Sequence, residues 1–196
     1  MREQILNFYS AIDSDIVARD IYNGFRSQNP SRWKKAWKTN QVMSSSGISR
    51  AIYRYTGKLY AQLNPKVRRH LATDAFNNVL IISALHGPTL PSDYLPCYDL
   101  TMGDLWKDKV RLRNKWPRWI MNYSGGELRA FVSKFEEVYV MVGNDYRPTA
   151  RAMRGLMPNL EKYDEAPSFR SQSNITWGQQ LNKYLSIMAG LKTKYK

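Results

Sequence analysis

The sequence is poor in the residues that build disulfide frameworks and metal sites. Among 196 residues it has one cysteine, Cys97, and two histidines. A single cysteine excludes an internal disulfide, and so few cysteines and histidines form no metal-ligand cluster. The sequence therefore predicts neither a metal nor another cofactor, and it favours a cytoplasmic location.

Long apolar runs are also missing. No run approaches the roughly 20 residues that a membrane-spanning helix needs, and the first twenty residues have polar side chains every few positions, unlike a secretory signal peptide. We therefore expect no membrane partner. Hydrophobic residues nevertheless make up 43% of the chain, a composition that is typical of a folded domain with a buried core.

Negative charge is scarce, and it is unevenly placed. Lysine and arginine number 30 against 16 carboxylates, which gives a formal net charge of +14. No Asp or Glu occurs over 21–73, and no Lys or Arg occurs over 70–106. Basic segments thus flank a stretch whose charges are carboxylates, which indicates a polyanion-binding surface around a pocket with acid–base groups. The alternative is a solvated basic exterior without a partner.

The cations expected to contact nucleic acid lie in three basic segments. They are Lys34, Lys35 and Lys38, then Arg111, Arg113, Lys115 and Arg118, and finally Arg151 and Arg154. The second segment alternates with Trp106, Trp116 and Trp119, and indole rings beside cations can stack on bases. The alternative is amphipathic packing, with the indoles inward and the cations outward.

Hydrophobic periodicity predicts most of the helices. Apolar residues spaced by three or four predict a helix over 3–26, with a break near Asp13 or Ser14. Its predicted apolar face includes Ile5, Tyr9, Ile12 and Ile16. Further helix starts are expected at Ser31, Asn64-Pro65, residue 126 and Arg147-Pro148. A linker over 166–174 is expected to precede a last helix.

Two aliphatic runs, 79–82 and 138–142, each follow a predicted helix and are typical of buried strands in a parallel sheet. The predicted fold is α/β, with a mixed sheet that has a parallel portion, flanked by helices, and with helical N- and C-terminal extensions. The expected division is a basic helical extension over 1–49, a core over 50–165, and a linker with a helix over 166–196, all in one compact domain.

The predicted strand ends locate a candidate site. In parallel sheets, ligands bind beyond the carboxyl ends of the strands. Ser83 and His86 follow the first strand, and Asn144, Asp145 and Tyr146 follow the second. We therefore expect these side chains to meet in one site, together with the long loop over 83–104, because loops of that length are usually functional.

Several residue types in these segments suit catalysis. His86 suits proton transfer near neutral pH, and Asp93 and Asp99 suit a pair that divides acid and base roles. Lys58, beside Gly57, suits a phosphate contact or a nucleophile. Each has a plainer alternative: a loop-fixing histidine, turn-capping carboxylates and a surface lysine.

Other residues are candidates for binding rather than for chemistry. Ser83 suits either a ligand contact or a loop cap. The rings of Tyr55, Tyr60, Tyr98 and Tyr146 suit stacking on a base, or alternatively a half-buried place in the core. Cys97 has no activating base beside it in the sequence, so a structural role is expected.

The order of these segments resembles the YaaA family of peroxide-stress proteins. The matching segments are Tyr55-Thr56-Gly57-Lys58-Leu59-Tyr60, Ser83-Ala84-Leu85-His86-Gly87, Pro91-Ser92-Asp93, Tyr98-Asp99-Leu100-Thr101-Met102, Gly143-Asn144-Asp145-Tyr146 and Ala152-Met153-Arg154-Gly155-Leu156-Met157. The resemblance implies an α/β fold with a DNA-binding element, DNA as ligand, and a role in limiting oxidative DNA damage. The family's Ser/Cys-x-x-Lys motif has no counterpart here, since the only candidate, residues 42–47, lacks the lysine.

Three functions fit this pattern. The first is an enzyme of DNA repair or nucleotide processing, which cleaves glycosidic bonds in a metal-free pocket of carboxylate, His and Tyr groups around an extruded base. The expected partner is then damaged or modified DNA, or a nucleotide. The second is a non-catalytic DNA-binding stress protein. The third is an enzyme that acts on a small nucleoside or nucleotide.

Overall fold

A computed structural model describes residues 1–22, 29–73, 78–106, 109–123, 126–165 and 170–188. The chain divides into two compact units. The first unit consists of Met1–Gly47, Ile82–Gly87 and Pro96–Glu165. The second unit consists of Ile48–Ile81, Pro88–Leu95 and Ala166–Lys196. The expected division into an extension, a core and a C-terminal segment stays a prediction.

The described residues form α-helices and short strands. The helices are α1 (Arg2–Ser10), α2 (Asp15–Ile21), α3 (Pro30–Gln41), α4 (Ala51–Arg54), α5 (Pro65–Leu71), α6 (Leu112–Tyr123), α7 (Glu127–Val132), α8 (Arg147–Arg154) and α9 (Arg170–Met188). The strands are β1 (Ser49–Arg50), β2 (Ile81–Ser83), β3 (Gly87–Thr89), β4 (Tyr94–Leu95), β5 (Glu137–Val140) and β6 (Lys162–Glu165).

The strands pair two by two. β1 is antiparallel to β4, β2 pairs with β3, and β5 runs parallel to β6, with Glu137 opposite Lys162 and Val140 opposite Glu165. The predicted α/β class, with a parallel portion and helical ends, is therefore confirmed. The parallel portion is β5 with β6.

The first predicted strand is present, but its expected parallel pairing is wrong. All three residues of β2 are buried, as the aliphatic run suggests. A turn of three residues, 84–86, leads from β2 to β3, and a parallel crossover needs about a dozen residues or more. The predicted loop over 83–104 is likewise not structureless, because β3 and β4 lie within it.

The helix starts follow their local signals closely. Ser14 is the N-cap residue of α2, at the predicted break, and the Asn64 side chain accepts a hydrogen bond from the Lys66 amide at the start of α5, 2.8 Å. Pro30 rather than Ser31 begins α3, with Asn29 at the N-cap. Ile16 is exposed rather than buried, because the break before Asp15 resets the helical phase.

Two helices were missed or shortened by the sequence prediction. α6 contains Pro117, a residue that usually interrupts helices, although its apolar residues Leu112, Trp116 and Ile120 are buried at a spacing of four. α9 begins at Arg170, so the predicted linker over 166–174 is wrong from that residue onward, and 166–169 lie outside the described residues.

The first unit has its core among its helices. α1 and α2 pack against α3, and α6 packs along α8. The large buried side chains of this unit include Ile5, Tyr9, Tyr22, Met43, Met102, Leu112, Trp116 and Ile120. The Tyr9 hydroxyl donates to the Leu105 carbonyl, 2.8 Å, which ties α1 to the segment before α6.

The second unit is built around α4, α5 and α9. α4 packs against α5 and against the β1–β4 pair. Gly178 lets α9 approach the chain near Leu59 and Gln62 so closely that a Cβ atom at Gly178 would overlap the Leu59 carbonyl oxygen. The Asn182 side chain accepts a hydrogen bond from the Asn64 amide, 2.7 Å.

Candidate functional site

Three predicted site residues of the first unit lie together at the turn after β2. Ser83 is fully buried, and its Oγ accepts a hydrogen bond from the His86 amide, 2.8 Å. The same oxygen shares a hydrogen bond of 2.7 Å with the Tyr98 hydroxyl. The rings of His86 and Tyr98 have centroids 6.4 Å apart. Ser83 therefore joins the histidine turn to the loop that carries Tyr98 and Asp99.

The main chain of Asp99 is fixed from α3. The Asn40 Oδ1 accepts from the Asp99 amide, 2.8 Å, and the Asn40 Nδ2 donates to the Asp99 carbonyl, 3.0 Å. Asn40 is fully buried, and the same Nδ2 donates to the Tyr22 hydroxyl, 2.7 Å. Sequence reasoning missed Asn40. The available signal was a polar residue on the face of α3 that also buries Trp33 and Ala36.

Helix α6 contacts both motif turns of the first unit. The Trp116 indole N–H donates to the Ala84 carbonyl in the turn after β2, 2.8 Å. Arg113, three residues earlier on the same face, forms an ion pair with Asp145 in the turn before α8. The two turns thus lie against one helical turn of α6. β2 and β5 do not share a sheet, so the common sheet edge expected for the two turns is wrong. That their side chains meet in one site stays a prediction.

The packed helices α6 and α8 form a surface that is rich in cations. Neither helix contains a carboxylate, and the cations are Arg113, Lys115, Arg118, Arg147, Arg151 and Arg154, which we call the α6–α8 basic surface. Arg118, Arg151 and Arg154 are exposed. Trp106 and Trp116 are buried. The prediction that these two indoles stack on bases is therefore wrong, and they pack inward as the alternative described.

One carboxylate anchors part of this surface. Glu165, at the end of β6, accepts two hydrogen bonds of 2.7 Å from Arg151 and one of 3.3 Å from Arg147. The hydrogen bond from Arg151 is the main cause that lowers the pKa of Glu165 below its ordinary value. Burial raises the pKa of Tyr163 to about 12, and the Arg154 guanidinium lies over its ring, 5.2 Å from the centroid.

The other predicted cations of this unit are on α3 and before α6. Lys34, Lys35 and Lys38 are exposed, and Lys34 lies 3.7 Å from an Asp15 carboxylate oxygen. Arg111 donates to the Gly103 carbonyl, 3.0 Å. In the turn before α8, Asn144 is exposed, whereas Tyr146 is half-buried.

The remaining predicted residues belong to the second unit. The rings of Tyr55 and Tyr60 have centroids 5.4 Å apart, and Gly57 and Lys58 are exposed. The Asp93 Oδ2 accepts hydrogen bonds from the Thr89 hydroxyl, 2.6 Å, and the Leu90 amide, 2.8 Å. These are the contacts of a turn-forming carboxylate, and a catalytic role for Asp93 stays a prediction.

Cys97 has structural contacts. Its amide donates to the Ser46 Oγ, 2.8 Å, and the side chain is exposed. Within the described ranges, no group of three or more His, Cys, Asp or Glu residues is placed to hold a metal ion. Among the helices that the structure describes, none is both long and apolar enough to cross a membrane.

Comparison with known proteins gives one family. The family model described as Peroxide stress protein YaaA matches residues 18–140, more than half of the chain. The matched segment contains Ser83, His86, Tyr98, Asp99 and α6, and it ends before the turn at Asn144. No curated protein and no solved structure matches the chain.

Proposed function

The chain belongs to the peroxide stress protein YaaA family, and from this premise we propose that it binds DNA in the cytoplasm through the α6–α8 basic surface. The observation that carries the proposal is the position of α6. This helix contributes half of the basic surface and also contacts the turns at Ala84 and Asp145. DNA that lies on the surface is then close to the polar groups of both turns.

Phosphate binding gives the proposal its physical basis. A protein that neutralises phosphates releases condensed counterions, so its affinity falls as the salt concentration rises. Arg118 and Arg154 are exposed on α6 and α8 and supply such charges. Neither helix has a carboxylate of its own. The carboxylates that reach the surface, Asp145 and Glu165, pair with Arg113, Arg147 and Arg151.

The second candidate function is cleavage of a glycosidic bond in damaged DNA or a nucleotide. The observation that favours it is the fixed loop of Tyr98 and Asp99, held by Ser83 on one side and by Asn40 on the other. In such a hydrolysis water attacks the sugar C1′ as the bond to the base breaks: the Asp99 carboxylate can take the proton of the water, and a protonated His86 can give a proton to the departing base. An extruded base is the substrate that suits these groups beside a DNA-binding surface.

The binding proposal is tested by removing two exposed cations. The double variant Arg118→Gln/Arg154→Gln is compared with Arg129→Gln/Lys134→Gln, which loses the same charge from exposed positions in and just after α7 of the same unit. Anisotropy of a labelled DNA duplex over a range of KCl gives the affinity and its salt dependence. Two lost phosphate contacts lower the slope of log K against log[KCl] by about 1.8.

The possible results distinguish whether the protein binds DNA at all from whether it does so through the α6–α8 basic surface. A lower slope in the α6–α8 variant alone supports the proposal. Equal slopes in the two double variants contradict the location, and absence of salt-dependent binding by the native chain contradicts DNA binding. The variant Lys35→Gln/Lys38→Gln tests in the same way whether α3 adds phosphate contacts.

Catalysis has a separate readout. Release of free base from DNA duplexes with oxidised bases, and from nucleosides and nucleotides, is followed by chromatography. We expect Asp99→Asn to abolish release and to leave DNA affinity nearly unchanged. Release from nucleosides alone identifies a small-molecule enzyme. If no substrate releases a free base, the protein binds DNA without catalysing this reaction.

A further inference from the structure

The second unit presents an exposed tyrosine ring on a segment whose main chain binds two guanidinium groups. In the β1–β4 pair, Arg50 is opposite Tyr94 and Ser49 is opposite Leu95. Leu95 is buried, whereas 58% of Tyr94 is exposed, as expected because side chains alternate along a strand. The Arg50 guanidinium lies over the Tyr94 ring, 4.7 Å from its centroid.

Both guanidinium groups are held by the main chain of the Tyr94 segment. The Arg50 Nη1 donates to the Ser92 carbonyl, 2.7 Å, and the Arg54 Nε donates to the Leu95 carbonyl, 3.2 Å. The two carbonyls lie on either side of Tyr94 in the chain. The ring therefore has a positioned cation near each end of its short strand, and we call Arg50, Arg54 and Tyr94 the Tyr94 surface.

The described side chains of the second unit, to which this surface belongs, carry mostly positive charge. The cations whose side chains the structure describes in the second unit are Arg50, Arg54, Lys58, Lys66, Arg68, Arg69 and Lys183, and the carboxylate among the same described residues is Asp93. Asp93 binds Thr89 and Leu90 within its own turn. The charge of these residues therefore suits a polyanion. They are different residues from those of the α6–α8 basic surface.

Exposed apolar groups accompany the charges. Ile48, which precedes β1, is 67% exposed, and Tyr53, on α4, is 44% exposed. Exposed aromatic groups among cations are typical of surfaces that bind unpaired nucleotides, because every base has a face that can stack on a ring. In a duplex the bases already stack on one another, so their faces are not available to such a ring.

We propose that the Tyr94 surface binds single-stranded nucleic acid: an unpaired base stacks on Tyr94, and Arg50 and Arg54 contact the flanking phosphates. An acidic polypeptide has the charge for this surface but lacks the planar rings that Tyr94 would stack on. The inference is independent of the proposed function, which concerns duplex DNA on the first unit. The two surfaces differ in the form of nucleic acid that each prefers.

The test compares two tyrosines in the full chain. Tyr94→Leu removes the proposed stacking ring, and Tyr139→Leu removes a tyrosine of the first unit that is 55% exposed and also lies beside a cation, Lys162, 5.0 Å from the ring centroid. Anisotropy of a labelled oligothymidylate of about 12 nucleotides, within the usual site size of single-strand binders, reports affinity. We expect Tyr94→Leu to weaken binding about tenfold and Tyr139→Leu to leave it unchanged.

Charge and ligand class are tested in parallel. Arg50→Gln is expected to lower the salt slope for the oligothymidylate by about 0.7, the value for one phosphate contact on a single strand. Tyr94→Leu is expected to leave that slope unchanged. Circular dichroism and thermal unfolding verify that each variant folds, which the exposed positions of Tyr94 and Tyr139 favour.

Each contrary outcome is informative. Equal affinities of the native chain and Tyr94→Leu overturn the inference, as does an equal loss in Tyr94→Leu and Tyr139→Leu. Binding of polyglutamate as tight as that of oligothymidylate, with no effect of Tyr94→Leu on either, identifies an acidic polypeptide instead and also overturns it. If Arg118→Gln/Arg154→Gln weakens duplex binding while Tyr94→Leu changes nothing, this inference fails and the proposed function stands.

Discussion

Asn40 and Asp99 are 59 residues apart in sequence and bind each other through two hydrogen bonds. The Asn40 amide group accepts from the Asp99 N–H and donates to the Asp99 carbonyl, at 2.8 and 3.0 Å. The Asn40 side chain thus supplies the hydrogen bonds that the main chain of Asp99, outside any helix or strand, does not receive from a neighbouring strand or helical turn. Because Asn40 also binds the Tyr22 hydroxyl, it joins α3, the end of α2 and the loop of the candidate site.

Replacing Asn40 by alanine removes all of these bonds at a fully buried position. We expect Asn40→Ala to lower the free energy of unfolding by about 2–4 kcal/mol, because the buried partners lose their hydrogen bonds. Urea unfolding measures the loss. Asn114→Ala, at an exposed position on α6, is the control and is expected to change stability by less than about 0.5 kcal/mol. A similarly small change in Asn40→Ala would contradict the assigned role.

The local signals in the sequence predicted local structure well. Ser14 and Asn64 lie at the helix starts where capping chemistry indicates them. The aliphatic runs overlap strands β2 and β5, but the expected burial is wrong for most of β5, in which Val140 is the buried residue. Each of these features depends on residues within a few positions of one another. The sequence prediction missed α6, although its buried residues Leu112, Trp116 and Ile120 have the apolar spacing of a helix.

The site was predictable only in part. The turn Ser83-Ala84-Leu85-His86 was recognisable as a polar segment that ends an apolar run. The contacts that fix it come from distant residues: Tyr98 is 15 positions away and Trp116 is 32 positions away from Ala84. Such pairings depend on how the helices pack, and hydrophobic periodicity does not specify that. The expectation that β2 and β5 share one sheet was wrong for the same reason. Helix α6, rather than a sheet, contacts the turns after both strands.

The Ser83–Tyr98 hydrogen bond is expected to contribute to the stability of the site. Ser83→Ala leaves the half-buried His86 amide and the Tyr98 hydroxyl without this partner, so we expect a loss of about 1–3 kcal/mol. Tyr98→Phe removes one bond and is expected to cost about 1 kcal/mol. In the double-mutant cycle the coupling is expected to be about 0.5–1.5 kcal/mol. Additive losses in urea unfolding would show that the two hydroxyls do not interact in solution.

The Glu165 carboxylate is expected to make stability depend on acid pH. Its pKa is lowered in the folded chain, first by the hydrogen bond from Arg151, from an ordinary value of 4.5. The unfolded chain therefore takes up this proton at a higher pH than the folded chain, and the stabilisation is present above pH 4.5 and is lost as the pH falls through the folded pKa.

Glu165→Gln is accordingly less stable than the native chain at pH 7, and the difference shrinks to nothing in acid. Urea unfolding between neutral and acid pH measures it. Glu161→Gln, at an exposed position close in sequence, is expected to change stability little at any pH. A difference between Glu165→Gln and the native chain that stays constant across the range would refute the linkage.

The close approach of Trp116 to Gly87 gives the most direct test of how α6 supports the histidine turn. Gly87 has a φ of +69°, which favours glycine, and a Cβ atom there would overlap the six-membered ring of Trp116. Gly87→Ala is expected to lower the free energy of unfolding by about 2–4 kcal/mol, since backbone strain and overpacking add. Gly57→Ala has open space at its Cβ and is expected to stay within about 1 kcal/mol of the native chain. Because the ring is fully buried, Gly87→Ala alone should also change the near-ultraviolet circular dichroism of the tryptophans. Equal stability of the two alanine variants would mean that Trp116 does not pack on this turn, and the link between α6 and the turn after β2 would then be lost.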